Sequence, residues 1–156
     1  MSSVASPPLL DFRALFESLP GLYLVLATDL TIIAASDAYL QATMTRREEI
    51  IGRPAFEIFP NNPVDPDAAS EKSARDSLLR VIRTGIADSL PLLKYDIRSA
   101  NGEFEERYWS AVNSPRFDAA GHIAYVVHRV EDITDLVRLK AESSRQIHET
   151  ETLRAR

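Results

Sequence analysis

The stretch Gly102-Glu-Phe-Glu-Glu-Arg-Tyr-Trp-Ser-Ala-Val-Asn-Ser-Pro-Arg-Phe-Asp-Ala-Ala-Gly-His-Ile-Ala-Tyr-Val-Val-His-Arg-Val-Glu-Asp-Ile-Thr134 decides the fold. Residues 104–115 and 122–132 are rich in β-branched and aromatic side chains, and the turn-forming run Asp118 to Gly121 separates them. They are read as two long antiparallel strands. The second ends in Asp132-Ile133-Thr134, and a polar, helix-prone segment follows. A carboxylate and a hydroxyl at such a junction suit the start of a helix, whose first N–H groups have no partners within the helix.

Residues 90–98 read as a further strand, and Asn101-Gly102 as a tight hairpin turn whose two central positions take positive φ. Residues 73–84 form the clearest helix: Ala74, Leu78, Val81 and Ile82 share a face, and Gly85 ends it. Leu22 to Ala27 and Thr31 to Ala35 look like a hairpin turning at Thr28-Asp29. Ser36 or Asp37 caps a short helix through Met44. Thr45-Arg46-Arg47-Glu48 has the capping-box pattern. Residues 54–59 give one more helical turn, and 61–69 a polar, proline-bearing loop. Asp11 caps a helix whose Phe12, Leu15, Phe16 and Leu19 fall at i, i+3, i+4 and i+7, stopped by Pro20-Gly21. The expectation is a flexible tail at 1–10, one domain at 11–134 and a C-terminal linker helix at 135–156. The fold class is α+β: a five-stranded antiparallel sheet with helices on one face and flanking helices at both ends.

The chain has 156 residues and a net charge of −5, with its 18 Lys and Arg scattered. That disfavours nucleic acid and anionic membrane surfaces as partners. No apolar run is long enough to cross a bilayer, and a cytoplasmic location is expected. The chain has no cysteine, which excludes disulfides, thiolate metal sites, cysteine nucleophiles and cysteinyl cofactor adducts. There is no glycine-rich phosphate loop, zinc-binding histidine pair, nucleophile elbow or paired-carboxylate spacing. No catalytic and no metal-binding residues are therefore predicted, and the chain is not expected to be an enzyme.

Five motifs recur in order: Leu19-Pro20-Gly21 before the first strand, Ile51-Gly-Arg-Pro-Ala-Phe-Glu-Ile-Phe-Pro60, Asn101-Gly102, Asn113-Ser114-Pro115 and Glu131-Asp132-Ile133-Thr134. Together they resemble the PAS family of sensory domains over residues 11–134. Tyr108-Trp109-Ser110 through Asn113-Ser114-Pro115, with His128-Arg129-Val130, is similar to a subgroup found in bacterial sensor proteins of the histidine-kinase-associated, two-component type. The resemblance implies a cavity between sheet and helices, frequent homodimerisation, and an output domain such as a histidine kinase outside the segment. It also implies that Asp132 and Thr134 couple the sheet to the terminal helix. Haem-binding members typically use a histidine on the long helix or the short helical turn, and neither 73–84 nor 54–59 has one. Haem and cysteinyl flavin are thus disfavoured, and the identity of any cofactor stays open.

Strand alternation places Val126, His128 and Val130 on one face, and Trp109, Ala111 and Asn113 on one face. By resemblance both sets face the cavity, and Tyr95 with Ile97 extends it. The candidate ligand site is Tyr95, Trp109, Asn113, Val126 and His128: apolar walls with few polar anchors. A plainer alternative has His128 and Asn113 pairing with each other or with backbone, and Trp109 as a core residue. Lys94, Asp96 and Arg98 are expected on a solvated or partner-facing row, with His122 and His148 exposed and without a role. The stripe Phe12, Leu15, Phe16, Leu19 is expected to form a homodimer. The function expected is a signal-sensing module that binds a small ligand, dimerises, or both, and relays a change through its C-terminal helix. The alternatives are a ligand-free module used only for dimerisation or partner binding and, remotely, a small α+β enzyme.

Overall fold

The computed structural model describes residues 8–65 and 69–155, so positions 1–7 of the expected tail, part of the 61–69 loop and residue 156 lie outside the described residues. A five-stranded antiparallel sheet runs in the order β2 (Ile32–Ala35), β1 (Leu22–Ala27), β7 (Ile123–Asp132), β6 (Tyr108–Phe117), β3 (Asp88–Lys94). Two ten-residue strands, β6 and β7, carry the middle of it, paired from Trp109↔Asp132 to Phe117↔Ile123. Helices α2 (Asp37–Thr43), α3 (Arg47–Ile50), α4 (Ala55–Ile58) and α5 (Ser70–Thr84) fill the long excursion between β2 and β3. Of these, α2 packs on β1, and α5 packs on β3, β6 and β7. Alternation sorts the strands as the sheet requires: Leu24, Leu26, Val126, Val130, Trp109 and Ala111 are buried, whereas Tyr125 and Val112 on the opposite face are exposed.

Polar side chains fix the joints. Ser36 is fully buried and caps α2, accepting from the Tyr39 amide at 3.3 Å and the Tyr23 amide at 3.0 Å while donating to the Gly21 carbonyl at 2.8 Å. One hydroxyl thereby ties the start of α2 to the start of β1. The capping box at 45–48 does not form: Arg46 precedes α3 without a side-chain cap. The Thr45 hydroxyl pairs instead with that of Thr43 at 2.8 Å.

The strand expected at 90–98 is broken. It runs from Asp88 to Lys94, and β4 (Ile97–Arg98) pairs separately with β5 (Phe104–Glu105). The cause lies in Asp96. Its carboxylate takes the Arg107 amide at 3.3 Å, a hydrogen bond that a strand's carbonyl would otherwise accept. It also receives the Asn62 amide at 2.9 Å and the Lys94 ammonium at 3.1 Å. Lys94 also reaches Asp65. Burial opposes the charge on Lys94, but the two carboxylates hold its pKa above the ordinary value. Of the row Lys94, Asp96, Arg98, Arg98 is exposed and Lys94 half-buried, but Asp96 is buried, and it anchors the loop ahead of α5.

The Asn101-Gly102 turn also differs from expectation. Only Gly102 has positive φ, at 84°, and the Gly102 amide bonds the Ser99 carbonyl while Ser99 N–H bonds Glu103. This is a three-residue loop closed by a left-handed glycine. Asp118 to His122 repeats it with Gly121.

At the N-terminus, α1 (Phe12–Glu17) is capped by Asp11, whose carboxylate accepts from Ala14 at 3.1 Å. Leu19 falls beyond the helix, Phe16 leans on the Tyr23 ring at 6.4 Å, and Phe12 and Leu15 stay exposed. The expected stripe is therefore divided between its own domain and the surface. At the other end α6 (Thr134–Arg154) leaves the sheet.

The neighbours Ile32 and Ile33 test the sorting of faces, being 0% and 42% exposed. Ile32→Ala is expected to cost roughly 2–5 kcal/mol in urea unfolding. Ile33→Ala is expected to stay within about 1 kcal/mol. Equal losses would contradict the register of β2.

Candidate functional site

Between sheet and helices lies a cavity of about 60 Å³. Leu24 and Leu26 of β1, Leu93 of β3 and Trp109 of β6 supply its sheet side, and Leu78 of α5 and Phe56 of α4 its helix side. A space of this size holds about four water-sized atoms. It is far below the roughly 300–1,000 Å³ of drug-sized sites. A second hollow, about 220 Å³, lies beyond Thr43 and Phe59 and is bordered by Glu49, Asp96 and Arg98.

Three of the five predicted ligand residues, Tyr95, Trp109 and His128, line the first cavity. Asn113 and Val126 are buried on the same side of the sheet but are not part of its wall. Tyr95 and Trp109 spend their polar atoms on the protein: the Tyr95 hydroxyl bonds the Phe59 carbonyl, and Trp109 Nε1 donates to the Tyr95 carbonyl at 2.8 Å. Both present only apolar surface to an occupant. Burial pushes the Tyr95 phenol up from its ordinary range, so it remains an O–H donor.

His128 is different. Its Nδ1 lies 2.6 Å from Asn113 Oδ1, across the β6–β7 pair Asn113↔His128. Asn113 Nδ2 donates to Ser77 Oγ at 2.9 Å, and Ser77 Oγ to Asp88 Oδ2 at 2.6 Å. Arg80 meets the same carboxylate oxygen at 2.9 Å. A hydrogen-bonded chain thus runs from the cavity through the core to an ion pair at the surface. The pairing of His128 with Asn113, the plainer alternative, is present, and it leaves Nε2 without a hydrogen bond among the described residues. Burial holds the His128 pKa down to about 4, so the ring is neutral at pH 7.

Two residues of this site were not singled out from the sequence. Tyr39 of α2 stands edge-on to the His128 ring at 6.3 Å and to Phe59 at 6.0 Å. It lines the cavity, and its hydroxyl makes no hydrogen bond among the described residues. Burial raises its pKa as well. No local pattern marks it. Ser77 did carry a signal: it falls three residues after Ala74 and four before Val81, a polar group inside an apolar stripe.

The junction predicted to carry a signal is also assembled. Asp132 Oδ1 accepts from the Thr134 amide at 3.0 Å and from its hydroxyl at 2.6 Å. The same hydroxyl oxygen accepts from the Tyr108 amide at 2.9 Å. Ile133 N–H donates to the Tyr108 carbonyl at 2.9 Å, and Arg107 Nε approaches Asp132 Oδ2 at 3.7 Å. The first residue of α6 is thereby bonded to the first residue of β6.

Comparison with solved structures finds the same fold. The PAS domain of a protein from Colwellia psychrerythraea superposes with a TM-score of 0.60 at 11% identity, over 78% of this chain and 93% of that one. VqmA bound to DPO is similar at 26% identity and TM-score 0.56, over 81% of this chain and 58% of that one. The Vibrio cholerae VqmA–ligand–DNA complex gives 26% and 0.60, over 83% and 54%. The chain thus spans little more than half of VqmA. No curated protein matches it. The family model described as PAS fold matches residues 16–138, most of the chain, and the protein belongs to the PAS family.

Proposed function

We propose that this chain is the sensing module of a signalling protein, binding a small molecule in the cavity beside His128 and relaying the event through α6. The observation that carries the reading is an apolar cavity in which two hydrogen-bonding groups, His128 Nε2 and the Tyr39 hydroxyl, lack protein partners. Among the described residues the one fully buried side-chain polar atom without a hydrogen-bond partner is Arg47 Nε, so these two groups keep some exposure, and an occupant would take the place of water on them. VqmA, at 26% identity, is a protein bound to DPO, and its complex with ligand and DNA supports pairing a ligand-holding module with a separate output. The output here is a domain outside this segment, such as a histidine kinase. Its net charge of −5 and scattered lysines and arginines speak against nucleic acid as the module's own partner, and its place is taken to be the cytoplasm. The small volume of the cavity favours a second reading, a ligand-free module used only for dimerisation or partner binding.

Native mass spectrometry separates the two. Gently purified protein is expected to carry a bound small molecule, and Ala74→Val, which fills the cavity wall, is expected to lose it without unfolding. Protein free of any adduct in both forms, even after exposure to cell extract, would favour the ligand-free reading.

The relay runs through Asp132 and Thr134. Asp132→Ala removes the acceptor for two hydrogen bonds at the start of α6. It is expected to loosen that helix by about 1 kcal/mol. Faster hydrogen exchange should be confined to about the first two turns of α6, with β6 and β7 still protected. Loss of protection throughout both strands would make Asp132 a core residue rather than a relay.

Dimerisation is assigned to the stripe Phe12, Leu15, Phe16 and Leu19. Phe12 and Leu15 offer the exposed apolar surface, while Phe16 also supports its own domain. Leu15→Glu is therefore expected to convert a dimer to a monomer in light scattering while the melting temperature of the domain changes little. A dimer unaffected by this change would remove the stripe from the interface.

A further inference from the structure

The chain from His128 to Arg80 has a direction, and that direction specifies what the cavity accepts. Asp88, paired with Arg80, is a carboxylate and only accepts hydrogen bonds. Ser77 has a single hydroxyl proton, and at 2.6 Å from Asp88 Oδ2 it is spent there. Toward Asn113 the Ser77 oxygen can then only accept, which turns the Asn113 amide so that Nδ2 faces Ser77 at 2.9 Å. Asn113 is 1% exposed and has no room to present both ends differently. Its Oδ1 is left facing His128 Nδ1 at 2.6 Å. An amide oxygen only accepts, so Nδ1 must carry the imidazole proton. In a neutral ring the other nitrogen, Nε2, is then a bare acceptor. The lining residue nearest in kind is Tyr39, whose unbonded hydroxyl is a donor.

Resting on the reading of the cavity as a ligand site, we infer that its occupant is a small uncharged molecule that donates one hydrogen bond to His128 Nε2 and accepts one from the Tyr39 hydroxyl. Charge is excluded by the walls. Aliphatic and aromatic side chains, with the hydroxyl-bearing Thr43, surround the two polar groups, and no ionised side chain among the described residues borders this cavity. An ion there would lose its hydration with nothing to replace it. Size is limited by the volume of about 60 Å³, room for about four to five heavy atoms. A molecule that cannot donate would leave its own acceptor facing the lone pair of Nε2. A site built around a hydrogen bond discriminates more sharply against such an analogue than an apolar pocket discriminates by size. Ser77 and Asn113 act here as positioning residues: they touch no occupant and set the tautomer of the residue that does.

The test uses the whole chain and three probes of equal ring size or similar bulk. Pyrazole is neutral and has one N–H donor beside one acceptor nitrogen. Isoxazole keeps the acceptor nitrogen and lacks the donor. Acetate carries a charge. Nitrogen NMR of histidine-labelled protein, with the His128 signals assigned through His128→Gln, reads both the tautomer and binding. Before addition, the proton is expected on Nδ1. Pyrazole is expected to shift the Nε2 resonance and to bind about tenfold more tightly than isoxazole, a ratio equivalent to about one buried hydrogen bond. Acetate is expected to leave the signals unmoved. Ser77→Ala frees the Asn113 amide to turn, so a mixture of tautomers and a pyrazole-to-isoxazole ratio nearer to one are expected. A proton on Nε2 in the wild-type protein, or isoxazole or acetate binding as tightly as pyrazole, overturns the inference while leaving the cavity a ligand site. Binding by none of the three overturns it too, and the search for a co-purified molecule by native mass spectrometry then decides the broader reading separately. The wild-type measurements stand without the Ser77→Ala variant, should that variant not fold.

Discussion

The double ladder of β7, hydrogen-bonded to β1 along one edge and to β6 along the other, is the constraint on which the rest depends. A strand paired on both sides cannot slip by one residue without turning every side chain to the opposite face. With the register held, Val126, His128 and Val130 must point at the helices, and Tyr125, Val127 and Arg129 away from them. The same ladder sets Asn113 directly opposite His128 and Asp132 opposite Trp109. The cavity histidine and the junction to α6 are therefore four residues apart on one rigid element. No loop intervenes between them, so under the proposed relay a displacement of β7 at one would reach the other.

The polar thread through the core, His128 to Asn113 to Ser77 to Asp88, runs against the economy of an apolar interior. Asn113 and Ser77 are each 1% exposed, and removing one partner from such a pair leaves the other unsatisfied at a cost of about 1–3 kcal/mol. A leucine-filled version of the same space would hold the sheet and α5 together at least as well. What the polar version adds is direction: each group is committed as donor or acceptor by the one before it, starting at the ion pair with Arg80. The chain ties α5 to β3, β6 and β7 at once.

Much of this architecture was legible in the sequence because it depends on period and punctuation. The strand at 122–132, the Asp118–Gly121 turn, the apolar face of α5 and its closing Gly85 are local signals, and the structure follows them, whereas the strand expected at 104–115 is broken, with Phe104–Glu105 paired to β4 and the long strand starting at Tyr108. Where the reading failed, a specific side-chain or backbone partner that the local pattern does not name decided. Residues 90–98 look like one strand until Asp96 takes the Arg107 amide and the Asn62 side chain, a contact 34 residues away in sequence. The capping box at 45–48 was displaced because Thr45 pairs with Thr43 instead. Asn101-Gly102 was read as the tighter turn because its dipeptide permits both, and the Ser99–Glu103 hydrogen bonds select the longer one. The candidate site was partly legible. Alternation found His128, Trp109 and Tyr95, but nothing near Tyr39 in sequence could show that α2 brings it edge-on to His128.

The terminal helix shows why its junction matters. Among the described residues of α6, Thr134 is buried and Val137 half-buried, and every position from 138 to 155 is exposed. Leu136, Leu139, Ile147 and Leu153 remain in water and do not form a regular heptad. Helices gain most of their stability from packing an apolar face, and short isolated ones are marginal. The domain thus supports α6 at one end only, through Thr134, Asp132 and the Tyr108 backbone. A helix held in this way has a population and a direction that depend on a handful of hydrogen bonds worth about 1 kcal/mol each. That is within the range by which a small occupant can bias an equilibrium. Two such helices side by side would find in each other the apolar contacts that the domain does not supply. Under the proposed relay, the weak packing of α6 is the property that would let a change at β7 be read further along the chain.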